Sequence, residues 1–211
     1  MNSKGTKNNN ASDSNIFIVN RYPPMSSPYR YAEDVFYSLD GKAEWINLIF
    51  DRKGWEKPHK GIDFQPAFGH VAFINHTFRD LSFHQAIRYV ESKGGNNLIH
   101  YTNQFSGILK VRGARRIISI HDSPYYIEKS GTLNSIFMRR LFSSLKDEEY
   151  VITQTEHLKN ELRQFGFSGN IYVIYLSYST QFRPLGVNKY DLRKSLNLPA
   201  DRKLIMSVSS D

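Results

Sequence analysis

Cysteine is absent from the 211 residues, which excludes a disulfide scaffold, thiol catalysis and thiolate metal sites. No run of about 18 apolar residues occurs, so no spanning helix is expected. The first fifteen residues, MNSKGTKNNNASDSN, contain no apolar segment of the kind a secretory signal needs. They read as a disordered tail, and cytoplasmic residence is the expectation. The seven histidines and the carboxylates show no metal-ligand spacing such as HExxH. GxSxG, GxxxxGK[ST] and the kinase signature set are missing as well. Neither an internal repeat nor a heptad pattern is visible.

What is present belongs to a folded, basic chain. Hydrophobic residues make up 40% and aromatics 14%, too much apolar surface for a disordered protein. Lys and Arg number 28 against 20 Asp and Glu, a net charge of +8. An excess of this sign favours anionic partners such as phosphorylated metabolites or anionic lipid. The aromatics fall largely on core-type positions rather than among the basic residues, so no nucleic-acid partner is expected.

Short apolar runs alternate with helical patterns along the chain. Strands are predicted at residues 16–19 (IFIV), 45–50 (WINLIF), 71–74 (VAFI), 97–102 (NLIHYT), 116–121 (RIISIH), 150–153 (YVIT), 171–176 (IYVIYL) and 204–208 (LIMSV). Helices are predicted at 31–39, 81–90, 105–111, 133–145, 155–165 and 190–196, with Thr155 as an N-cap and Gly166 just past its helix. The helix at 133–145 would bury Leu133, Ile136, Phe137, Leu141, Phe142 and Leu145. Residues 20–28 and 51–66 read as loops. Strands that are continuously apolar and separated by helices are the mark of a parallel sheet covered on both faces. The expected fold is therefore α/β, a doubly wound, mostly parallel, Rossmann-like layer. Residues 16–184 would form it, with 185–211 a linker leading into the first strand of an incomplete second domain.

Ligands of such sheets bind at the carboxyl ends of the strands. His121 and Asp122 end one strand; a histidine there can bond a sugar hydroxyl or a phosphate, and the aspartate can accept from a hydroxyl. Asn103 and Thr102 end a neighbouring strand, whereas His100, further back, reads as a core residue. The loop at 20–30 (NRYPPMSSPYR) has no glycine with which to cradle phosphate, but Arg21 and Arg30 can supply charge. Lys110, Arg112, Arg115, Arg116, Arg139 and Arg140 form a further basic group, read either as a solvated face or as a contact for lipid headgroups.

The succession NLIHYTNQFSGIL, RRIISIHDSPYYI, YVITQTEHLKNELRQFG and IYVIYLSYSTQFRPL resembles the N-terminal domain of family-4 retaining glycosyltransferases, which have the GT-B fold of two facing Rossmann-like domains. The features carrying the likeness are His121-Asp122, Thr155-Glu156, Lys159, Glu161-Leu162, Val173-Ile174 and Phe182-Arg183-Pro184. The stretches 192–199 (LRKSLNLP) and 203–208 (KLIMSV) resemble the approach to the second domain and its opening strand. The likeness covers residues 95–211 well and residues 15–95 by general layout. It implies transfer of a sugar, of hexosyl type, from a nucleotide-sugar donor to a sugar, lipid-linked or protein acceptor, with retention and without metal or other cofactor. His121 would lie near the transferred sugar, with Asp122, Asn103 and Thr155 lining the crevice and Arg21 and Arg30 on phosphate or acceptor. Two features depart from the family. The glycine-rich first loop is missing, and the domain that holds most of the donor site would be cut off after its first strand. The alternatives are a non-catalytic acceptor- or membrane-binding subunit, peripheral at the inner face of the membrane and completed by a partner chain, or an inactive truncated product.

Overall fold

β-Branched and aromatic runs that are apolar on both sides can be buried only between two layers of helix. In the computed structural model, which describes residues 14–49, 53–56, 58–65, 83–129, 131–145, 147–176 and 186–204, they form one sheet. Its strands are β1 (Ile16–Asn20), β2 (Ala43–Leu48), β3 (Ile62–Phe64), β4 (Asn97–Tyr101), β5 (Ala114–Ile120), β6 (Tyr150–Thr153) and β7 (Asn170–Val173). Among the described residues the order is β3-β2-β1-β4-β5-β6-β7, and every neighbouring pair is parallel. The doubly wound Rossmann-like layer expected from the sequence is thus the fold observed.

Side chains alternate across the sheet with period two. Phe17 and Val19 of β1 join Ile99, Tyr101, Ile118, Ile120 and Val151 in a core on one face. Helices α2 (His84–Ser92), α4 (Thr132–Ser144) and α5 (Glu156–Gln164) cover it through Ala86, Val90, Phe137, Met138, Leu141, Leu158 and Leu162. Ile18 points the other way, packing with Trp45 and Trp55 against Tyr29 and Ala32 of α1 (Ser27–Ser38). Crossovers of constant hand place helices on opposite faces when strand progression reverses. The chain reverses between β1 and β4, and α1 accordingly lies opposite α2.

Several elements differ from expectation, each for a local reason. Helix α1 starts at Ser27 rather than at residue 31. Ser26 caps it by accepting from the Tyr29 N–H at 3.3 Å, and Pro28 falls in the first turn, where its missing N–H costs nothing. Residues 105–111 form no helix: the chain proceeds in separate tight turns, Gly107 N–H to Gln104 O at 3.2 Å and Leu109 N–H to Ser106 O at 3.1 Å. Gly107 packs so tightly on Ile118 that a Cβ there would lie 2.7 Å from its side chain. Within the stretch read as a loop at 51–66, β3 forms. Pro124 opens a short helix, α3 (Pro124–Lys129). On α4, Met138 is buried, while Ile136, expected inside, is 46% exposed. The strand expected through residue 176 ends at Val173. Thr155 does cap α5, accepting from Leu158 N at 3.1 Å, and Gly166 does turn the chain at φ 100°.

Asn15 is tied down by side-chain bonds to Gly94 O and Asn97 Oδ1, both 3.0 Å. The strand expected at 71–74, the Phe182-Arg183-Pro184 break and residues 205–208 lie outside the described residues. The chain divides into two compact units, Met1–Tyr175 and Leu176–Asp211. The second contains α6 (Lys189–Ser195), capped by Asn188, whose Arg193 guanidinium donates to the carbonyls of Pro199, Ala200 and Arg202.

The basic group of the sequence is not a single solvated face. Arg116 is buried in β5 and grips Glu149 with two bonds of 2.6 and 2.7 Å. It also donates to the carbonyls of Gly107 and Ser144 at 2.9 and 2.8 Å, so the 105–111 turns, β5, the end of α4 and the entry to β6 share one ion. Arg139 reaches Glu128 at 3.3 Å and lies over the Phe165 ring. Removing one partner of a buried bidentate pair strands the other charge. Arg116→Ala is therefore expected to lower unfolding stability by about 3–5 kcal/mol, read as a shift of the urea midpoint.

Candidate functional site

An open α/β sheet offers its crevice where strand progression reverses, at the carboxyl ends of the two strands involved. Here those strands are β1 and β4. The join is tight: the N–H and the hydroxyl of Thr102 both donate to Val19 O, at 3.1 and 3.0 Å. The Thr102 carbonyl is left facing β5, and there it accepts from His121 Nε2 at 2.7 Å.

That one bond defines the histidine. A carbonyl can only accept, so Nε2 carries the hydrogen and Nδ1 of the neutral ring is an acceptor. Gln154, just past β6, donates its carboxamide N–H to Nδ1. Tyr31 of α1 stands edge-to-face against the ring, centroids 4.9 Å apart and planes at 83°. The His121 N–H is accepted by Gln104 Oε1 at 3.4 Å, and Gln104 Nε2 donates to Asp122 at 2.7 Å. Burial holds the His121 pKa below the ordinary imidazole value, against the opposing pulls of the Thr102 carbonyl and the Asp122 charge.

Behind this ring runs a second polar chain. The Tyr31 hydroxyl shares a hydrogen bond with Ser119 Oγ, and Ser119 Oγ another with His100 Nε2, each 2.8 Å. His100 is buried, as its place in β4 suggested. Burial, with a smaller contribution from His121, lowers its pKa from 6.5 to about 4.

The other residues singled out in the sequence are gathered unevenly. Asn103 is buried at the β4 tip. Its Nδ2, like the Oγ of Ser106, has no hydrogen-bond partner among the described residues. Asp122 is exposed beside His121. Thr155 adjoins Gln154, with its hydroxyl engaged as the α5 cap. Arg21 follows β1 and lies over the Phe105 ring, 5.7 Å from its centroid, which brings its charge beside the Asn103 turn. Arg30 is exposed on α1 and joins none of these contacts. The glycine-free loop between β1 and α1 turns through positive φ at Met25, 77°, a conformation that a glycine would adopt freely.

Tyr31, Gln104, Ser119 and Gln154 were not anticipated from the sequence. Nor was a network at the β1–β2–β3 tips. Asn47 Oδ1 accepts from Trp45 Nε1 at 2.6 Å and from Asn20 Nδ2 at 3.3 Å. Asn47 Nδ2 donates to Asp63 at 3.0 Å, and Asp63 also pairs with His59 at 2.9 Å. Among the described residues no group of three or more His, Asp or Glu is placed to hold a metal ion, and no helix is long and apolar enough to cross a membrane.

No family model matches the sequence, and no curated protein does. A solved structure does share the fold. It is Anabaena HepE, in complex with UDP and glucose. It superposes with a TM-score of 0.58 at 13% identity, over 87% of this chain and 50% of HepE. At that identity the likeness is one of fold, and the chain spans half the length of HepE.

The buried His100 links the site to acidity. Its unfolded counterpart takes up a proton near pH 6.5, whereas the folded ring resists until about pH 4. Between these values the unfolded state binds more protons, so stability falls as pH falls through the window. The loss attributable to His100 is on the order of 3 kcal/mol. His100→Gln, compared with the parent by urea denaturation at several pH values from 7.5 to ~4, should show a shallower decline.

Proposed function

We propose that this chain is the acceptor-side portion of a glycosyltransferase of family-4 type. It would act on a nucleotide-sugar donor, transferring a hexosyl group with retention. The observation that carries this reading is His121: a neutral, half-buried imidazole at the carboxyl tip of β5, beside the strand reversal, with one nitrogen anchored to backbone and the other turned to a displaceable carboxamide. Such a ring suits a neutral sugar hydroxyl. Likeness of fold to a protein solved with UDP and glucose supports the same chemistry.

In this reading His121 and Asp122 hold hydroxyls of the transferred sugar or the acceptor. The unpartnered Nδ2 of Asn103 adds a donor, and Thr155 lines the far side. Arg21 offers charge to a phosphate, with Arg30 more distant on α1. In this reading the electrostatic clamp on the departing nucleoside diphosphate, a large share of catalysis in such transfers, would belong to the donor-side domain. The net charge of +8 favours work at the anionic inner face of the cytoplasmic membrane. A second reading draws on the same half-length match to HepE: an acceptor- or membrane-binding subunit completed by a partner polypeptide.

Two measurements test the proposal. In the enzyme that includes the donor half, His121→Ala should lower sugar-transfer turnover tenfold or more, roughly the effect of one lost substrate hydrogen bond; unchanged kinetics would remove His121 from the site. Calorimetric titration of this chain with UDP-glucose should give little heat, and micromolar affinity would place the donor pocket here instead. Activity that requires a second polypeptide selects the subunit reading.

A further inference from the structure

Two side chains, those of Gln154 and Tyr31, and one backbone carbonyl, that of Thr102, meet the His121 imidazole, and they do unequal work. The Thr102 carbonyl consumes the ring's hydrogen at Nε2. Gln154, from the end of β6, fills Nδ1 with an N–H. Tyr31 closes the ring from the side and is itself fixed, through its hydroxyl, to Ser119 and on to His100. Tyr31 also lies near His100, their rings 6.3 Å apart at 85°. The backbone bond satisfies only the Nε2 hydrogen; the Nδ1 lone pair is met by a side chain that can move aside, and Tyr31 adds a contact that neither nitrogen needs.

We propose that Tyr31 is a positioning residue that holds His121 against the Thr102 carbonyl in its Nε2-protonated form, and that Gln154 keeps the ring neutral as a placeholder whose amide hydrogen marks where a substrate hydroxyl donates to Nδ1. The lock sets specificity. A ring held this way accepts a hydrogen and has none to give, so it welcomes a sugar hydroxyl and offers nothing to a phosphate or carboxylate oxygen. This consequence rests on the sugar-transfer reading above; the lock itself does not.

The physical handle is the carboxamide. A Gln N–H facing Nδ1 opposes imidazolium, because the charged ring carries hydrogen on both nitrogens. A Glu of the same shape reverses this: it accepts from Nδ1–H and adds an attractive charge. The other titratable groups facing the ring are Tyr31 from α1, His100 from β4 and Asp122 from the adjoining loop; the substitution touches none of them.

The experiment is nitrogen-15 NMR of the histidine rings in the full chain. The parent should show His121 as the neutral Nε2–H form at neutral pH, with Nδ1 hydrogen-bonded. Gln154→Glu should raise the His121 titration midpoint by at least about one pH unit. Gln154→Ala should leave the Nε2–H form but lose the hydrogen-bonded signature at Nδ1. Tyr31→Phe, which keeps the aromatic contact, should preserve the tautomer, and Tyr31→Leu should admit the Nδ1–H form. A parent ring protonated at Nδ1, or a Gln154→Glu midpoint equal to the parent's, overturns the inference. These readouts report the ring and not turnover. The expected ring states in a protein that transfers no sugar would uphold the lock and remove the functional reading.

Discussion

The join between β1 and β4 sets everything at the site. One carbonyl, that of Val19, receives both the amide and the hydroxyl of Thr102. Two donors on one acceptor fix the β4 tip in position and in rotation. The Thr102 carbonyl is thereby aimed at β5, and the orientation of His121 follows from it. A threonine suits this position because its short hydroxyl reaches the same Val19 carbonyl that its own amide meets. Serine would offer the same bond on a freer side chain, and valine would fill the space without it.

The two ends of the sheet solve different problems. At the amino end, a buried arginine and glutamate satisfy each other, and the arginine also satisfies one turn carbonyl and the last carbonyl of α4. At the carboxyl end the polar groups are mostly neutral: carboxamides, hydroxyls and imidazoles joined in chains, with Asn103 Nδ2 and Ser106 Oγ left over among the described residues. Orphaned buried polar atoms are uncommon in proteins and cost stability. Their concentration in one turn at the crevice fits an edge built to meet a polar ligand rather than to maximise packing.

Much of the sheet was legible because its strands are unbroken apolar runs; β6 was located to the residue, and the Thr155 cap and the Gly166 turn followed from ordinary helix-end chemistry. β3 was not legible, since three residues carry no period. Residues 105–111 misled because apolar spacing there looks helical, while the backbone closes only separate tight turns with Gly107 pressed against Ile118. Pro28 disguised the start of α1 because proline both ends loops and begins helices. In the site, His121 and Asp122 were visible as polar residues at a strand tip. Tyr31, Gln104 and Gln154 were not, because their meeting depends on the register of three strands and the placement of a crossover helix, and a carboxamide has no characteristic spacing in sequence.

Among the described residues, both borders of the sheet are brief: three residues in β3 and four in β7. A border strand normally advertises a ladder of free amides and carbonyls, on which a foreign extended chain can zip. With so few rungs, neither border offers a lengthy template. Recruitment of another copy by strand addition is thereby discouraged, even though Tyr172 in β7 and Ile174 just beyond it present apolar side chains to solvent.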